Sequence, residues 1–284
     1  MKTSNSVTAN TSASEKLPVI YLPHGGGPWN VLDDAFGDAE GHARLRAYLE
    51  SFGATYQHRV KALLVISGHW EEASPTLNFG QAPGMLYDYY GFPPHTYELK
   101  WPAPGCPEVA ARAEVLLKQA GFTPVRETQR GYDHGTFVPL MVAFPDAKLP
   151  VAQLSLIKSL DPGAHFELGR ALEPLRSEGV LIVGSGMSYH NMRGLMGGES
   201  RAGQASAEFD QWLAQTVSLA DPEARKRALS QWASAPGGRE SHPRSEHLVP
   251  LFVVAGAAGQ DAGRPDFQST LMGVRVSGHL FGTP

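Results

Sequence analysis

The chain has a single cysteine, Cys106. That rules out a disulfide framework within the chain and a thiolate-built zinc cage, so any bound metal must be held by nitrogen and oxygen. No apolar run comes near the roughly 20 residues needed to span a bilayer. A basic surplus is missing too: 24 Lys and Arg stand against 28 Asp and Glu, a formal net charge of -4 at pH 7. With the basic residues scattered, there is no electrostatic footprint for nucleic acid, and small-molecule partners are expected. Residues 1–16 are rich in Ser, Thr and Asn and have no hydrophobic centre. They read as a disordered lead rather than a secretory signal, and a cytoplasmic location follows by default.

Two catalytic signatures are also absent. His24-Gly25-Gly26-Gly27 after an apolar run looks like the oxyanion segment of an esterase, but that chemistry needs a G-x-S-x-G elbow. The nearest match, Gly186-Met187-Ser188-Tyr189-His190, lacks the final glycine. No G-x-G-x-x-G opens a helix to bind a dinucleotide.

What is present fits one α/β domain over residues 17–284, with a central mixed, largely parallel sheet flanked by helices: the 284 residues are 42% hydrophobic and 18% charged. Strands are expected at Leu17 to Leu22, Lys61 to Ser67, Val151 to Leu156, Gly179 to Gly184 and Leu271 to Val276. Helices are expected at Asp38 to Phe52, Glu108 to Gln119, Ala164 to Arg176, Ser206 to Leu219, Pro222 to Trp232 and Glu246 to Ala257, the last with His247 in its first turn. The tract from Pro83 to Pro107 has no periodicity and is too long for a plain connector, which suggests a functional loop. Its Tyr87, Tyr89, Tyr90, Phe92 and Trp101 either wall a pocket for a flat substrate or pack the loop onto the body.

The chain holds 11 histidines, and three of them, His24, His69 and His190, follow strand-like segments closely. In an open α/β sheet ligands collect beyond the carboxyl ends of the strands, so these rings are expected to share one crevice. His134 sits on a turn beside Asp133 and is a candidate acid/base or substrate-binding group, or else a capping residue. His242 and His247 belong to the segment from His242 to His247 and can reach the same crevice. His42, His58, His95, His165 and His279 have no supporting pattern and read as ordinary residues. Ser67, Asp133, Ser185 and Asn191 are the candidates for holding the rings in their tautomers.

Taken in order, Pro23-His24-Gly25-Gly26-Gly27-Pro28, Ser67-Gly68-His69-Trp70, Tyr90-Gly91-Phe92-Pro93, Tyr132-Asp133-His134-Gly135, Tyr189-His190-Asn191 and Glu246-His247-Leu248-Val249-Pro250-Leu251 closely resemble the DODA-type class III extradiol ring-cleavage dioxygenases of the LigB-like superfamily. The resemblance runs from about Leu17 to the C-terminus. It implies an α/β enzyme that opens a catechol-type ring (DOPA-like or related) with O2 to a muconic semialdehyde. One non-haem metal would serve it, Fe(II) for activity, with Zn(II) able to occupy the site as isolated.

By motif, the resemblance makes His24, His69 and His247 the metal ligands, with Glu246 the alternative to His247, since protocatechuate-type members use a carboxylate there. It makes His190 the acid/base, or a fourth ligand in a zinc-loaded site, and His134 a holder of substrate or oxygen. His242 and Tyr132 are the expected substrate contacts. The Gly-Gly-Gly-Pro-Trp turn differs from the Gly-Ser-Pro form of DOPA-cleaving members, which points away from DOPA itself. A zinc hydrolase on the same histidines and a Memo-like binding protein are the rival readings. A monomer or homodimer is expected.

Overall fold

The central strands read as unbroken aliphatic runs because they are buried on both faces, the pattern of a parallel sheet covered by helices. In the computed structural model, which describes residues 16–197 and 200–284, the chain runs β1 (Val19–Pro23), α1 (Ala39–Tyr56), β2 (Ala62–Glu72), β3 (Thr76–Asn78), α2 (Pro107–Gln119), β4 (Val125–Glu127), α3 (His134–Ala143), β5 (Val151–Ile157), α4 (Pro162–Leu172), β6 (Val180–Gly186), α5 (Met192–Leu195), α6 (Ala202–Val217), α7 (Pro222–Leu229), α8 (Gly238–Ser241), α9 (Val249–Ala257), β7 (Gly263–Leu271) and β8 (Val274–Phe281). Apart from Lys16, the expected disordered lead lies outside the described residues.

The sheet has the order β4-β3-β5-β2-β6-β1-β8-β7. Its centre, β5-β2-β6-β1, is parallel. The β7–β8 hairpin adds to β1 antiparallel, and β3 adds to β5 antiparallel on the other side. This is the mixed, largely parallel α/β sheet the sequence predicts. Alternate residues face opposite cores, as a strand's period of two requires. Val19 and Tyr21 join α2, α4, α6 and α9 in one core, while Ile20 and Leu22 join α1 and α3 in the other. Because β2, β6 and β1 are neighbours and parallel, their carboxyl ends open on one edge. No helix among the described residues is long and apolar enough to cross a membrane.

Several expected elements differ, each for a local reason. The expected helix from Ala164 to Arg176 is α until Leu172 and then 3-10 from Glu173 to Glu178, because Pro174 has no N–H for the α ladder. The expected strand from Leu271 to Val276 is a hairpin turning at Met272-Gly273, and Met272 holds φ at 50°, a conformation methionine does not advertise. α6 starts at Ala202 and α7 stops at Leu229. β3, β4 and α3 are not expected at all. Within α3, Pro139 cannot donate to the Gly135 carbonyl four residues back, and the Ser185 hydroxyl at the end of β6 donates to it instead, pinning the start of α3 to the sheet.

Arg176 closes the other end of the molecule. Its fully buried guanidinium donates to the Ala257 and Ala258 carbonyls at 3.1 and 2.7 Å, to Leu17 O at 2.6 Å and to Asp261 at 2.5 Å. It thereby satisfies carbonyls at the C-terminus of α9, which have no partner inside the helix, and fixes the entry to β1. Arg176→Met should cost about 3 kcal/mol or more, since it strands buried acceptors and a carboxylate; urea unfolding followed by circular dichroism will measure it.

Two histidines read as ordinary are buried and neutral. His165 Nδ1 donates to Asp161 O at 2.8 Å while its Nε2 accepts the Ile157 N–H at 2.9 Å. Burial lowers its pKa, and burial pushes that of His279 down to about 3 from 6.5. With the folded values depressed, the unfolded chain takes up protons first as pH falls. The stability these groups contribute is therefore complete above pH 6.5 and lost as pH falls below it, for His279 progressively down to about pH 3. Unfolding free energies from urea titrations should fall below pH 6.5 by up to about 1.4 kcal/mol per pH unit for each group still neutral in the folded state.

Candidate active site

Five imidazoles converge at the carboxyl edge of β1, β2 and β6. His24 directly follows β1. His69 lies inside β2, within the stretch between Ile66 and Glu71 where the pairing with β5 shifts register, so a local irregularity aims the ring into the crevice. His134 is the first residue of α3, behind the cap made by Asp133, rather than on a free turn. His190 follows β6 by four residues. His247 lies in the turn before α9, not in the helix; its carbonyl accepts from the Tyr21 hydroxyl at 2.8 Å and the Met187 N–H at 3.1 Å.

The rings are close. His24, His69 and His247 lie 4.7–5.1 Å apart between ring centroids. His134 lies 3.9 Å from His69, and His190 stacks on His247 at 3.4 Å. Ligand atoms of His24, His69 and His134 fall within 4.8 Å of one another, as do those of His190, Glu246 and His247. The two sets meet where His69 Nε2 and His247 Nε2 approach to 3.1 Å.

The partners of the other ring nitrogens decide what those atoms can do. His24 Nδ1 donates to the Gly25 carbonyl at 2.7 Å, which leaves its Nε2 as a lone pair, and that atom is buried with no hydrogen-bond partner. His247 Nδ1 donates to Glu246 Oε1 at 3.0 Å, and His69 Nδ1 faces Asp88 Oδ2 at 3.4 Å. With the protons at both Nδ1 atoms, towards the carboxylates, the two Nε2 atoms would each present a lone pair to the other, a contact that a divalent cation between them would relieve; with His69 protonated at Nε2 instead, that atom donates to His247 Nε2. Imidazole nitrogens brought this close fit a divalent metal. Burial, reinforced by the neighbouring imidazoles, lowers the pKa of all three, that of His24 to about 3. Neutral rings are what a metal needs.

Each carboxylate serves two rings. Asp88 accepts from His134 Nδ1 at 2.8 Å and from the His134 N–H at 2.9 Å while also facing His69. Burial alone would raise the Asp88 carboxyl, but the His134 hydrogen bond and charge outweigh it and hold the group below the usual carboxylate value. Glu246 Oε1 lies 3.1 Å from His190 Nδ1 as well as beside His247. Burial raises it, and the His190 hydrogen bond and the Arg244 charge lower it further than burial lifts it.

Asp88 is the residue the sequence does not reveal. It stands in the aperiodic tract 83–107 and is aimed only because Leu86 N–H donates to Tyr132 O at 2.7 Å and Tyr132 N–H to Gly84 O at 2.8 Å. The four residues expected to hold the rings engage backbone and one another. Asp133 accepts Ser67 Oγ and caps α3, Ser67 accepts the His69 N–H, Ser185 binds Gly135 O, and Asn191 caps α5.

The rings open into a cavity of about 460 Å³. The expected substrate contacts at His242 and Tyr132 need correction, because neither reaches it. His242 is fully buried behind it, with Nε2 2.9 Å from Ser188 O and its ring between Phe209 and Trp232. The Tyr132 hydroxyl points away to the Pro104 and Val151 carbonyls at 3.2 and 3.3 Å. Of the loop aromatics, Tyr89, Tyr90 and Phe92 line the cavity, whereas Tyr87 and Trp101 bond to the Leu99 and Phe144 carbonyls and pack the loop down. The three-glycine turn explains itself here. A Cβ at Gly25, Gly26 or Gly27 would come within 2.3, 3.1 and 2.9 Å of the rings of Trp29, Phe36 and Phe92 respectively, so each glycine seats one aromatic ring.

Comparison with known proteins agrees with this geometry. The family described as the catalytic LigB subunit of aromatic ring-opening dioxygenase matches residues 20–280. A dioxygenase of Hapsidospora irregularis, tasH, is 36% identical over 277 residues, covering 93% of this chain and 85% of that one. The 4,5-DOPA dioxygenase extradiol of Beta vulgaris is 40% identical over 245 residues, covering 86% and 87%. A crystal structure of an uncharacterized protein from Escherichia coli K12 superposes with a TM-score of 0.73 at 30% identity, covering 94% of this chain and 100% of that one. These likenesses select the ring-opening enzyme over the hydrolase and the binding protein. The chain belongs to the LigB family of aromatic ring-opening dioxygenases and is an extradiol ring-cleavage enzyme.

Proposed function

We propose that the enzyme opens the ring of a catechol-type substrate with O2 to give a muconic semialdehyde, on one Fe(II) held by His24, His69 and His247. The observation that carries this reading is the set of three buried or half-buried rings whose Nδ1 atoms face acceptors, while the Nε2 atoms of His69 and His247 meet at 3.1 Å and that of His24 is buried with no partner. Three protein ligands leave coordination positions open, the arrangement non-haem Fe(II) oxygenases use. When bound, Fe(II) would supply the Lewis acidity that acidifies a catechol hydroxyl and the electron transfer that lets dioxygen react with the ring. Zn(II) would fit the same donors without the redox step.

The chain's own groups then handle protons and position. Glu246 beside His190 Nδ1 favours the tautomer whose Nε2 is a free base towards the cavity, so His190 takes the substrate hydroxyl proton and returns it later in turnover. Asp88 fixes His134 Nδ1 in the same way, leaving His134 Nε2 to hydrogen-bond substrate or oxygen. The apolar walls exclude water, and holding the ring among fixed groups converts an encounter into an intramolecular step, worth up to about 7–11 kcal/mol in well-oriented systems. The enzyme is taken to act on free small molecules as a monomer or homodimer, without nucleic acid or membrane partners.

Anaerobic reconstitution with Fe(II), followed by a panel of catechols monitored for oxygen uptake and a yellow product, tests the reading. His24→Ala and His69→Ala should each lose both bound metal and oxygen uptake, whereas His190→Ala should retain most metal and lose turnover by roughly 10²- to 10⁴-fold. Full metal occupancy in both ligand variants, measured by elemental analysis, would defeat the assignment. Asp88→Asn, which keeps the shape and removes the charge shared by His69 and His134, should weaken metal affinity by about 10- to 100-fold, measured by competition with a chelator.

A further inference from the structure

We infer that the substrate is a catechol bearing an apolar substituent, an alkyl or aryl group, in preference to one with a charged side chain such as the amino acid DOPA. The inference rests on the ring-opening reading above and deepens it. A cavity of about 460 Å³ has room for more than a bare catechol ring, falling in the range of pockets that enclose drug-sized ligands, about 300–1,000 Å³. Beyond the imidazoles, the described residues lining it include no Lys, Arg, Asp, Glu, Asn or Gln. The wall is instead made of Phe36, Phe92, Met187, Met192, Met196 and Met272, with other apolar side chains between them. An ammonium or carboxylate carried in on a ring substituent would lose water and, among the described residues away from the imidazoles, meet no charged or amide side chain, while an apolar chain would gain by burial. Flexible thioethers suit an irregular apolar group.

The mouth extends this character outward. Tyr90, Met196 and Met192 are 91%, 70% and 56% exposed, large apolar side chains clustered at one opening, the pattern of a binding surface rather than of scattered surface residues.

Backbone strain at two wall positions supplies independent support. Among the described residues only four other than glycine hold positive φ, and two of them, Phe36 and Met272, line this cavity. Met272-Gly273 is a two-residue hairpin turn with φ of 50° and 81°, a place where Asn-Gly is the preferred pair. Phe36, at φ 57° and ψ 25°, packs edge-on against Phe92 at 6.0 Å. Asp38 anchors the Met272 turn by accepting its N–H at 2.6 Å. Bulky apolar residues in left-handed conformations at a ligand site mark positions where the side chain matters more than the backbone's ease.

The test uses the full-length Fe(II)-loaded enzyme. kcat/KM is measured for catechol, 4-methyl-, 4-ethyl-, 4-propyl- and 4-butylcatechol and for L-DOPA, and affinities for the same series are measured anaerobically by calorimetry. Both should rise about fourfold per added methylene, with L-DOPA at least about tenfold below 4-propylcatechol. Met272→Asn should raise Tm by roughly 2 °C, because Asn suits the turn, and should shrink the ratio of 4-butylcatechol to catechol in kcat/KM severalfold. Ring opening with no dependence on chain length, or with L-DOPA equal to 4-butylcatechol, overturns the apolar preference and leaves the dioxygenase reading standing. No oxygen uptake with any catechol overturns that reading instead; the anaerobic affinities then decide the preference, a chain-length trend supporting it and a flat series overturning it. A Met272→Asn variant that is less stable than the parent overturns the strain argument.

Discussion

His69 Nε2 and His247 Nε2 face each other at 3.1 Å, and a carboxylate stands beside the Nδ1 of each ring. Neutral imidazole can offer a lone pair at Nε2 only if its proton is held at Nδ1. Asp88 stands beside the Nδ1 of His69, Glu246 beside that of His247, and the Gly25 carbonyl beside that of His24. Burial works in the same direction by lowering the ring pKa values, so the site is shaped for a cation in advance. Keeping buried donors uncharged and turned towards each other costs stability in the empty protein, and binding of a metal would recover it.

The pairing of carboxylates with rings gives the centre an internal logic. Asp88 spans His69 and His134, and Glu246 spans His247 and His190. Each carboxylate therefore couples one ring of the facing trio to one ring of the cavity floor. A change in charge at either carboxylate reaches both of the rings beside it, and the two cannot be tuned separately. Arg244, bridging Glu246 at 3.3 Å and Glu71 at 2.7 Å, ties one of these carboxylates back to β2.

Around this polar floor the protein builds a dry wall, and the backbone accommodates it. The three glycines after His24 leave space for Trp29, Phe36 and Phe92, and positive φ at Phe36 and Met272 costs of order 1–3 kcal/mol each. The remainder of the fold absorbs such costs through two well-packed cores on either side of the sheet and through Arg176, which locks the far end of α9 to the start of β1.

Much of this was legible in the chain. Continuous aliphatic runs announced the central parallel strands, the Asp161-Pro162 pair announced the start of α4, and histidines just beyond strand-like segments announced a shared crevice, because those signals are local. The two-residue turn at Met272, the short strands β3 and β4 and the helix opening at His134 were hidden, since methionine is no turn residue, three-residue strands are too short to show a period, and Pro139 disguises a helix. What the sequence by itself determined is the chemistry available: nitrogen and oxygen donors, an α/β sheet, and imidazoles at strand ends. Only the tertiary structure decided which groups govern those rings. Asp88 becomes a partner of His69 and His134, while Tyr132 and His242 turn away from the cavity, because side-chain direction in an aperiodic loop is set by backbone hydrogen bonds to distant segments that no local pattern records.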